Sequence, residues 1–193
     1  MRDFFQEQLH QLNQELIRMG AACEEIIELA SRSLTDYSAD LAKSVSAVGA
    51  QIDESERTIE TICMKLLLRQ QPVARDLRVI SAAMKMITDM ERIGDQAEDI
   101  AEIVTFLNGR TMEGMELIEE MARETIEMVT DSVDAFVKKD IELAKKVIEQ
   151  DDVVDDYFSR VKCGIISLIT ENHADGEFAL DLLMISKYFE RIG

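Results

Sequence analysis

The amino-acid sequence predicts an all-α protein built as two tandem three-helix bundles, related by an internal duplication and with the last helix of the second bundle truncated. Apolar residues recur at three- and four-residue spacing along almost the whole chain, which is the pattern of amphipathic helices. The 193 residues include one proline and eight glycines. A strand-rich fold needs more turn residues than that. The third observation is that two strings of the chain recur at similar offsets.

The helical pattern is interrupted at several places, and these interruptions carry residues that favour helix ends. Pro72 suits the first turn of a helix, and Asn108 followed by Gly109 suits a helix end. Asp140 and Asp175 suit N-caps. Short turns between long helices indicate antiparallel bundles. We therefore predict six helices, at residues 4–35, 39–70, 73–107, 112–138, 140–171 and 175–193.

The duplication is visible in two pairs of strings. LAKSV at 41–45 returns as LAKKV at 143–147, an offset of 102 residues, and MERIG at 90–94 returns as FERIG at 189–193, an offset of 99. The difference of three residues falls in the turn between the second and third helices of each unit. The third helix of the first unit continues beyond its string, so we expect the last helix of the second unit to be incomplete here. We place the two repeats at residues 1–108 and 109–193.

The charge of the chain limits its partners. It has 39 acidic and 21 basic residues, for a net charge of −18. Nucleic acid and anionic lipid would be repelled by such a surface, so neither is expected as a direct partner. Cations and proteins with basic faces are the compatible ligands.

The sequence also predicts a cytoplasmic location. The N-terminus has no apolar run of the signal-peptide type, and no stretch approaches the ~20 apolar residues that cross a bilayer. Cys23, Cys63 and Cys163 show no C-x-x-C spacing and lie in apolar helical stretches, so we interpret them as reduced core thiols.

Carboxylates occupy positions on the third helix where the pattern predicts apolar side chains. The apolar stripe runs through Ile80 and Ile87, and Glu91 projects about 20° from Ile80 when each residue turns about 100°. Asp95 projects about 60° and Asp99 about 100° from the same line. Two further acids lie close to this line, Glu98 and Glu102.

The second helix has the same feature. Glu56 projects about 40° and Glu60 about 80° from its apolar stripe. Ionised carboxylates that are buried without partners cost several kcal/mol each, so bases, protonation or a metal cation must compensate them. Carboxylates four residues apart, such as Glu91 with Asp95 or Glu56 with Glu60, can converge on a hard or intermediate cation.

Two interpretations of these acids stay open on periodicity alone. One is a solvated acidic groove edge where a pair of helices splays open, and the other is a metal site. The fifth helix weakens a symmetric metal site, because Phe158 and Lys162 stand at the repeat equivalents of Glu56 and Glu60. Its acids come about one turn earlier: Asp151, Asp152, Asp155 and Asp156.

Motifs of several enzyme classes are absent from the sequence. His10 and His173 are the only histidines, and neither forms the Glu-x-x-His pair of a ferritin-like di-iron site. There is no glycine-rich phosphate loop and no Gly-x-Ser-x-Gly. We therefore predict a protein that is not an enzyme, and the resemblance described below implies a regulatory adaptor. A metal-free helical scaffold is the alternative, followed by a carboxylate-bridged metallohydrolase, for which no general acid or nucleophile is evident.

Three strings together resemble the PhoU family of phosphate-uptake regulators. RQQPVARDLR at 69–78 resembles the family's link between its second and third helices. ERIGD at 91–95 resembles the family signature, and FERIG at 189–193 resembles the start of that signature in the second repeat. The resemblance covers essentially the whole chain. It implies two tandem three-helix bundles with pseudo-twofold symmetry.

The resemblance also implies metal ligands. Some members of the family carry clusters of iron or other metals on paired Glu/Asp-x-x-x-Asp motifs, one pair in each repeat. Iron is the first candidate metal, and zinc, manganese, nickel and magnesium stay open. We expect the first-repeat site to be the better formed. By position its ligands would be Glu56, Glu60, Glu91 and Asp95, flanked by Asp99, and those of the second repeat Glu190, Asp151 and Asp155.

The role implied by the resemblance is negative regulation of phosphate uptake and of phosphate-starvation signalling. The expected partners are the ATPase subunit of the phosphate ABC transporter and a phosphate-sensing histidine kinase. These partners would recruit the protein peripherally to the membrane without insertion into it. A homodimer is compatible with this role.

Overall fold

The computed structural model of the protein describes residues 2–36, 39–70, 73–110, 115–172 and 176–193. Within these ranges the chain forms α-helices and no strand, as predicted. The helix bounds lie within about three residues of the predicted ones, which is the usual uncertainty of helix ends. The helices are α1 (Arg2–Asp36), α2 (Ala39–Gln70), α3 (Ala74–Leu107), α4 (Met115–Lys138), α5 (Ile141–Asn172) and α6 (Gly176–Ile192).

The helices pack as two bundles. In the first bundle α1, α2 and α3 all contact one another, and in the second bundle α4, α5 and α6 do the same. The bundles meet where α1 packs against α4 and α3 packs against α6. The predicted tandem three-helix architecture is therefore confirmed. None of the helices in the described part of the chain is long and apolar enough to cross a membrane.

The duplication extends to side-chain packing. A Cβ atom added to Gly94 of α3 would lie 3.4 Å from Ile52 Cδ1 of α2. A Cβ atom added to Gly193 would likewise lie 3.4 Å from Val154 Cγ1 of α5. Gly193 follows Gly94 by the offset of 99, and Val154 follows Ile52 by the offset of 102. Equivalent residues of the two repeats therefore make equivalent close contacts.

The buried face of α3 follows a seven-residue repeat. Eight of its eleven buried residues are spaced alternately by three and four positions, as in a coiled-coil seam. Such a seam drifts by about 20° per heptad from a straight helical projection. A straight projection that starts at Ile80 therefore underestimates the angle between Glu91 and the seam. The seam residues are Ile80, Ala83, Ile87, Met90, Gly94, Ala97, Ala101 and Val104.

Two predicted helix ends are confirmed. Asn108 (φ 52°) and Gly109 (φ 75°) adopt left-handed conformations at the end of α3, and the amide of Arg110 donates to the Leu107 carbonyl at 3.0 Å. At the start of α5, the Leu143 amide donates to Asp140 Oδ1 at 3.0 Å, so Asp140 is an N-cap. The predicted roles of Pro72 and Asp175 lie outside the described residues.

Replacing the N-cap is expected to destabilise the α4–α5 turn. Asp140→Ala removes the acceptor of the Leu143 amide and should lower the free energy of unfolding by about 1 kcal/mol. Asp140→Asn keeps a capping oxygen and should lose only a small part of this. Urea unfolding of the three proteins measures the difference, and equal losses in both variants would contradict the capping role.

The prediction that all three cysteines are core thiols is wrong for one of them. Cys23 and Cys63 are buried, but Cys163 is exposed. The buried face of α5 passes through Val161 and Ile165, and Cys163 lies between them on the opposite side. Burial, followed by the nearby Glu24 charge, raises the pKa of Cys23 to about 12, and burial is also the main cause that raises the pKa of Cys63 to about 11. Both buried thiols stay protonated at neutral pH.

Candidate functional site

The carboxylates predicted to lie within the apolar stripes are not buried, which corrects that expectation. On α3 the physical reason is the heptad drift, which turns Glu91 and Asp95 from the seam towards solvent. Three of the predicted metal ligands are half-buried: Glu56, Glu91 and Glu190. The remaining five are exposed: Glu60, Asp95, Asp99, Asp151 and Asp155.

Glu91 is the centre of an acidic cluster between α2 and α3. Burial raises the pKa of Glu91 above its ordinary value, and the charges of Asp95, Glu56 and Asp53 raise it further. Arg92 opposes this shift only weakly, as the smallest of the causes. The structure therefore places Glu56 and Asp95 close enough to Glu91 for their charges to act on it. We name Asp53, Glu56, Glu91 and Asp95 the first acidic cluster.

One member of this cluster was missed and one predicted member lies apart from it. Asp53 was absent from the predicted set, although its repeat equivalent Asp155 was included, so the offset of 102 would have found it. Glu60 is exposed and is not among the carboxylates that act on Glu91. Its charge acts instead on the thiol of Cys63.

The first acidic cluster has little internal neutralisation. Arg57 approaches Asp53 at 3.9 Å, whereas Arg92 lies 3.7 Å from Asp89, outside the cluster. Among the described residues, no ion pair reaches Glu56, Glu91 or Asp95. Like charges therefore face one another here, and solvent or a bound cation must screen them.

A groove beside this cluster is also lined with acids. Its cavity volume is about 440 Å³, and α3 contributes Asp95, Glu98, Asp99 and Glu102 to its wall. The half-buried Glu98 lies directly over Gly49 of α2, since a Cβ atom at Gly49 would stand 2.6 Å from Glu98 Oε1. The absence of a side chain at Gly49 thus lets this carboxylate lie flat on α2.

Asp99 connects this groove to the second bundle. Burial raises the pKa of Tyr188 on α6, and the interaction of its hydroxyl with the Asp99 carboxylate raises it further. Asp99 is thus a neighbour of α6 rather than a member of the first acidic cluster.

The second repeat has an acidic cluster of its own. Burial raises the pKa of Asp151 above its ordinary value, and the charges of Asp155, Asp152 and Glu190 raise it further. Glu190 also forms an ion pair with Lys187 of its own helix. We name Asp151, Asp152, Asp155 and Glu190 the second acidic cluster.

The donor set of the first acidic cluster suits a cation. Clustered carboxylate oxygens are the ligands of magnesium, calcium, manganese and non-haem iron sites. Among the described residues, however, no three side chains of Asp, Glu, His or Cys are arranged to hold a metal ion together. The cluster therefore offers the donor atoms that a cation binds, but not the arrangement of a formed metal site.

Comparisons with known proteins find the same family across both repeats. The family model described as PhoU domain matches residues 16–104 and 118–193. The phosphate-specific transport system accessory protein PhoU homolog of Clostridium acetobutylicum is 33% identical over 194 residues, which cover 100% of this chain and 89% of that protein. The phosphate-specific transport system accessory protein PhoU of Escherichia coli is 28% identical, over 98% of this chain and 79% of that protein.

Solved structures agree with this result. The crystal structure of PhoU from Pseudomonas aeruginosa superposes with a TM-score of 0.91 at 29% identity, and the match covers 97% of this chain and 91% of that chain. The phosphate transport system regulatory protein PhoU from Streptococcus pneumoniae gives a TM-score of 0.88 at 25% identity, over 97% and 89% of the two chains. Since the family model, the relatives and the folds agree over nearly the whole length, this chain belongs to the PhoU domain family.

Proposed function

We propose that this protein regulates phosphate uptake as an accessory protein of a phosphate transport system. The observation that carries the proposal is that both repeats match the family model, and that the matching relatives are named as accessory proteins of phosphate-specific transport. The likeness extends across both bundles. The proposal thus rests on the whole architecture and not on one motif.

In this proposal the protein is a non-enzymatic adaptor in the cytoplasm. It restrains phosphate uptake and phosphate-starvation signalling through contact with the transporter's ATPase subunit and with a sensor histidine kinase. The net charge of −18 supports recruitment through basic faces of these partners, because anionic lipid repels such a surface.

The adaptor role predicts direct, salt-sensitive association with the ATPase subunit. The purified protein should bind the purified subunit in a pull-down at about 0.1 M salt and bind much less at about 1 M, because the Debye length falls from about 10 Å to about 3 Å. An unrelated helical protein of similar net charge serves as the control. The adaptor role would be contradicted if the protein bound neither the ATPase subunit nor the kinase, or if the control bound equally well.

We further propose that the first acidic cluster holds a divalent cation, with iron as the first candidate. The support for this is the set of facing carboxylates around Glu91 and the absence of an ion pair to Glu56, Glu91 or Asp95 within the described residues. A bound cation would neutralise these charges and would give phosphate, which the acidic surface otherwise repels, a point of attraction.

A metal-free scaffold is the second candidate. The observation that favours it is that no three acidic side chains of the described residues are arranged around a common point. In that case solvent alone screens the first acidic cluster, and its acids contribute to a face that binds partners. The response of Glu91 variants to added cation, treated in the Discussion, separates the two candidates.

A further inference from the structure

The two acidic clusters share two carboxylates at equivalent positions. Glu91 and Glu190 are equivalent at the offset of 99, and Asp53 and Asp155 are equivalent at the offset of 102. The other acids of the second cluster, Asp151 and Asp152, stand at the offset of 102 from Gly49 and Ala50. Two positions beside the shared carboxylates also differ between the repeats. At the offset of 102 Phe158 stands where the first repeat has Glu56, and at the offset of 99 Lys187 stands where it has Thr88.

The two substituted residues contact each other. The Lys187 ammonium lies 5.0 Å from the centroid of the Phe158 ring, a cation–π arrangement. The same ammonium forms the ion pair with Glu190. Both side chains are half-buried, with 43% of Lys187 and 20% of Glu190 exposed. One lysine therefore places a positive charge between the acid of α6 and the ring of α5.

The first repeat has no such residue. Thr88 is exposed, and its hydroxyl donates to the Met84 carbonyl of its own helix at 3.3 Å. Glu56 occupies the position of the Phe158 ring and adds a further negative charge beside Glu91. At these two equivalent positions the second repeat therefore has an aromatic ring where the first has a carboxylate, and a lysine where the first has a threonine.

We propose that Lys187 is the built-in cation of the second acidic cluster, so that binding of divalent cations is confined to the first repeat. In the second acidic cluster Lys187 already pairs with Glu190 and Phe158 offers no oxygen, so only the carboxylates of α5 remain as ligands for a metal ion. The confinement to the first repeat rests on the cation site proposed above. The role of Lys187 does not depend on that site.

Removal of the ammonium should destabilise the second cluster in a way that a cation repairs. In EDTA, Lys187→Thr should melt about 2–4 °C below the wild type, the change expected for about 1 kcal/mol in a chain of this length. Lys85→Thr is the matched control, since Lys85 is exposed and forms no ion pair with the described residues. Millimolar Mn²⁺ should restore the melting temperature of Lys187→Thr relative to that control. Equal melting of the two variants in EDTA, or no restoration by Mn²⁺, would overturn the proposal.

A second variant gives positions 158 and 187 the residues that the first repeat has there. Phe158→Glu combined with Lys187→Thr should bind one more Mn²⁺ than the wild type by native mass spectrometry. If the wild type binds no Mn²⁺ and the double variant binds one, the proposed cation site of the first repeat is refuted and the role of Lys187 is supported. If the double variant binds no more Mn²⁺ than the wild type, the role of Lys187 is refuted whatever the first repeat does.

Discussion

Phe189→Ala is expected to lower the free energy of unfolding by about 3–5 kcal/mol, the range measured when a fully buried aromatic ring is removed. Phe189 is the bulkiest fully buried side chain of the described residues and is 0% exposed. It belongs to α6, which packs against α3, α4 and α5. The resulting cavity therefore weakens the second bundle and its contact with the first.

Chemical unfolding measures this loss, and Phe106 provides the control. Phe106 is 56% exposed on α3, so Phe106→Ala should change stability by no more than about 0.5 kcal/mol. In thermal unfolding, Phe189→Ala should lower the melting temperature by roughly 6–20 °C, at about 2–4 °C per kcal/mol. A loss below that of Phe106→Ala would show that the second bundle contributes little to the stability measured.

The fold could be predicted from the sequence because its signals are local and repeated. Helix ends depend on residues such as Asp140 and Gly109, whose preferences act within one turn. The number of helices in each repeat could be predicted because two strings of the chain recur at similar offsets. Both signals are independent of how the helices are placed in space.

The site could be predicted only in part, because side-chain burial depends on packing between helices. A straight projection placed Glu91 near the centre of the buried stripe, but the seam drifts away from it, and the side chain is half-buried. Cys163 was misassigned for a related reason, since an apolar stretch does not show which of its residues face outwards. The pairing of Lys187 with both Glu190 and Phe158 joins two helices and was not visible in the composition of either.

Glu91→Gln is expected to stabilise the protein when no divalent cation is present. Burial and the neighbouring charges of Asp95, Glu56 and Asp53 raise the pKa of Glu91 in the folded state. The folded state therefore holds this proton more tightly than the unfolded state does. The stability contributed by protonated Glu91 is complete below its unfolded pKa and is lost as pH rises through its folded pKa.

The wild type should accordingly lose stability as the pH rises through the mildly acidic range above 4.5, the ordinary pKa of this carboxyl. Glu91→Gln should not show this pH-dependent loss. At pH 7 in EDTA, Glu91→Gln should gain about 0.5–1 kcal/mol, a small value because solvent screens the partly exposed group. Urea unfolding across this range measures both effects. Glu54→Gln, at an exposed position of α2, should change stability by less than about 0.5 kcal/mol.

A divalent cation should reverse the sign of this effect. A ligand that binds only the folded state stabilises it by about 2.7 kcal/mol at a free concentration of ~100 times its Kd. In Mn²⁺ or Fe²⁺ the wild type should gain this amount and Glu91→Gln should lose most of it, because a carboxylate ligand is gone. If both proteins respond alike to the metal, the cluster is screened by solvent and the metal-free scaffold is the correct interpretation. The sign of the Glu91→Gln effect in metal therefore decides between the two interpretations that periodicity left open, independently of any measurement of phosphate transport.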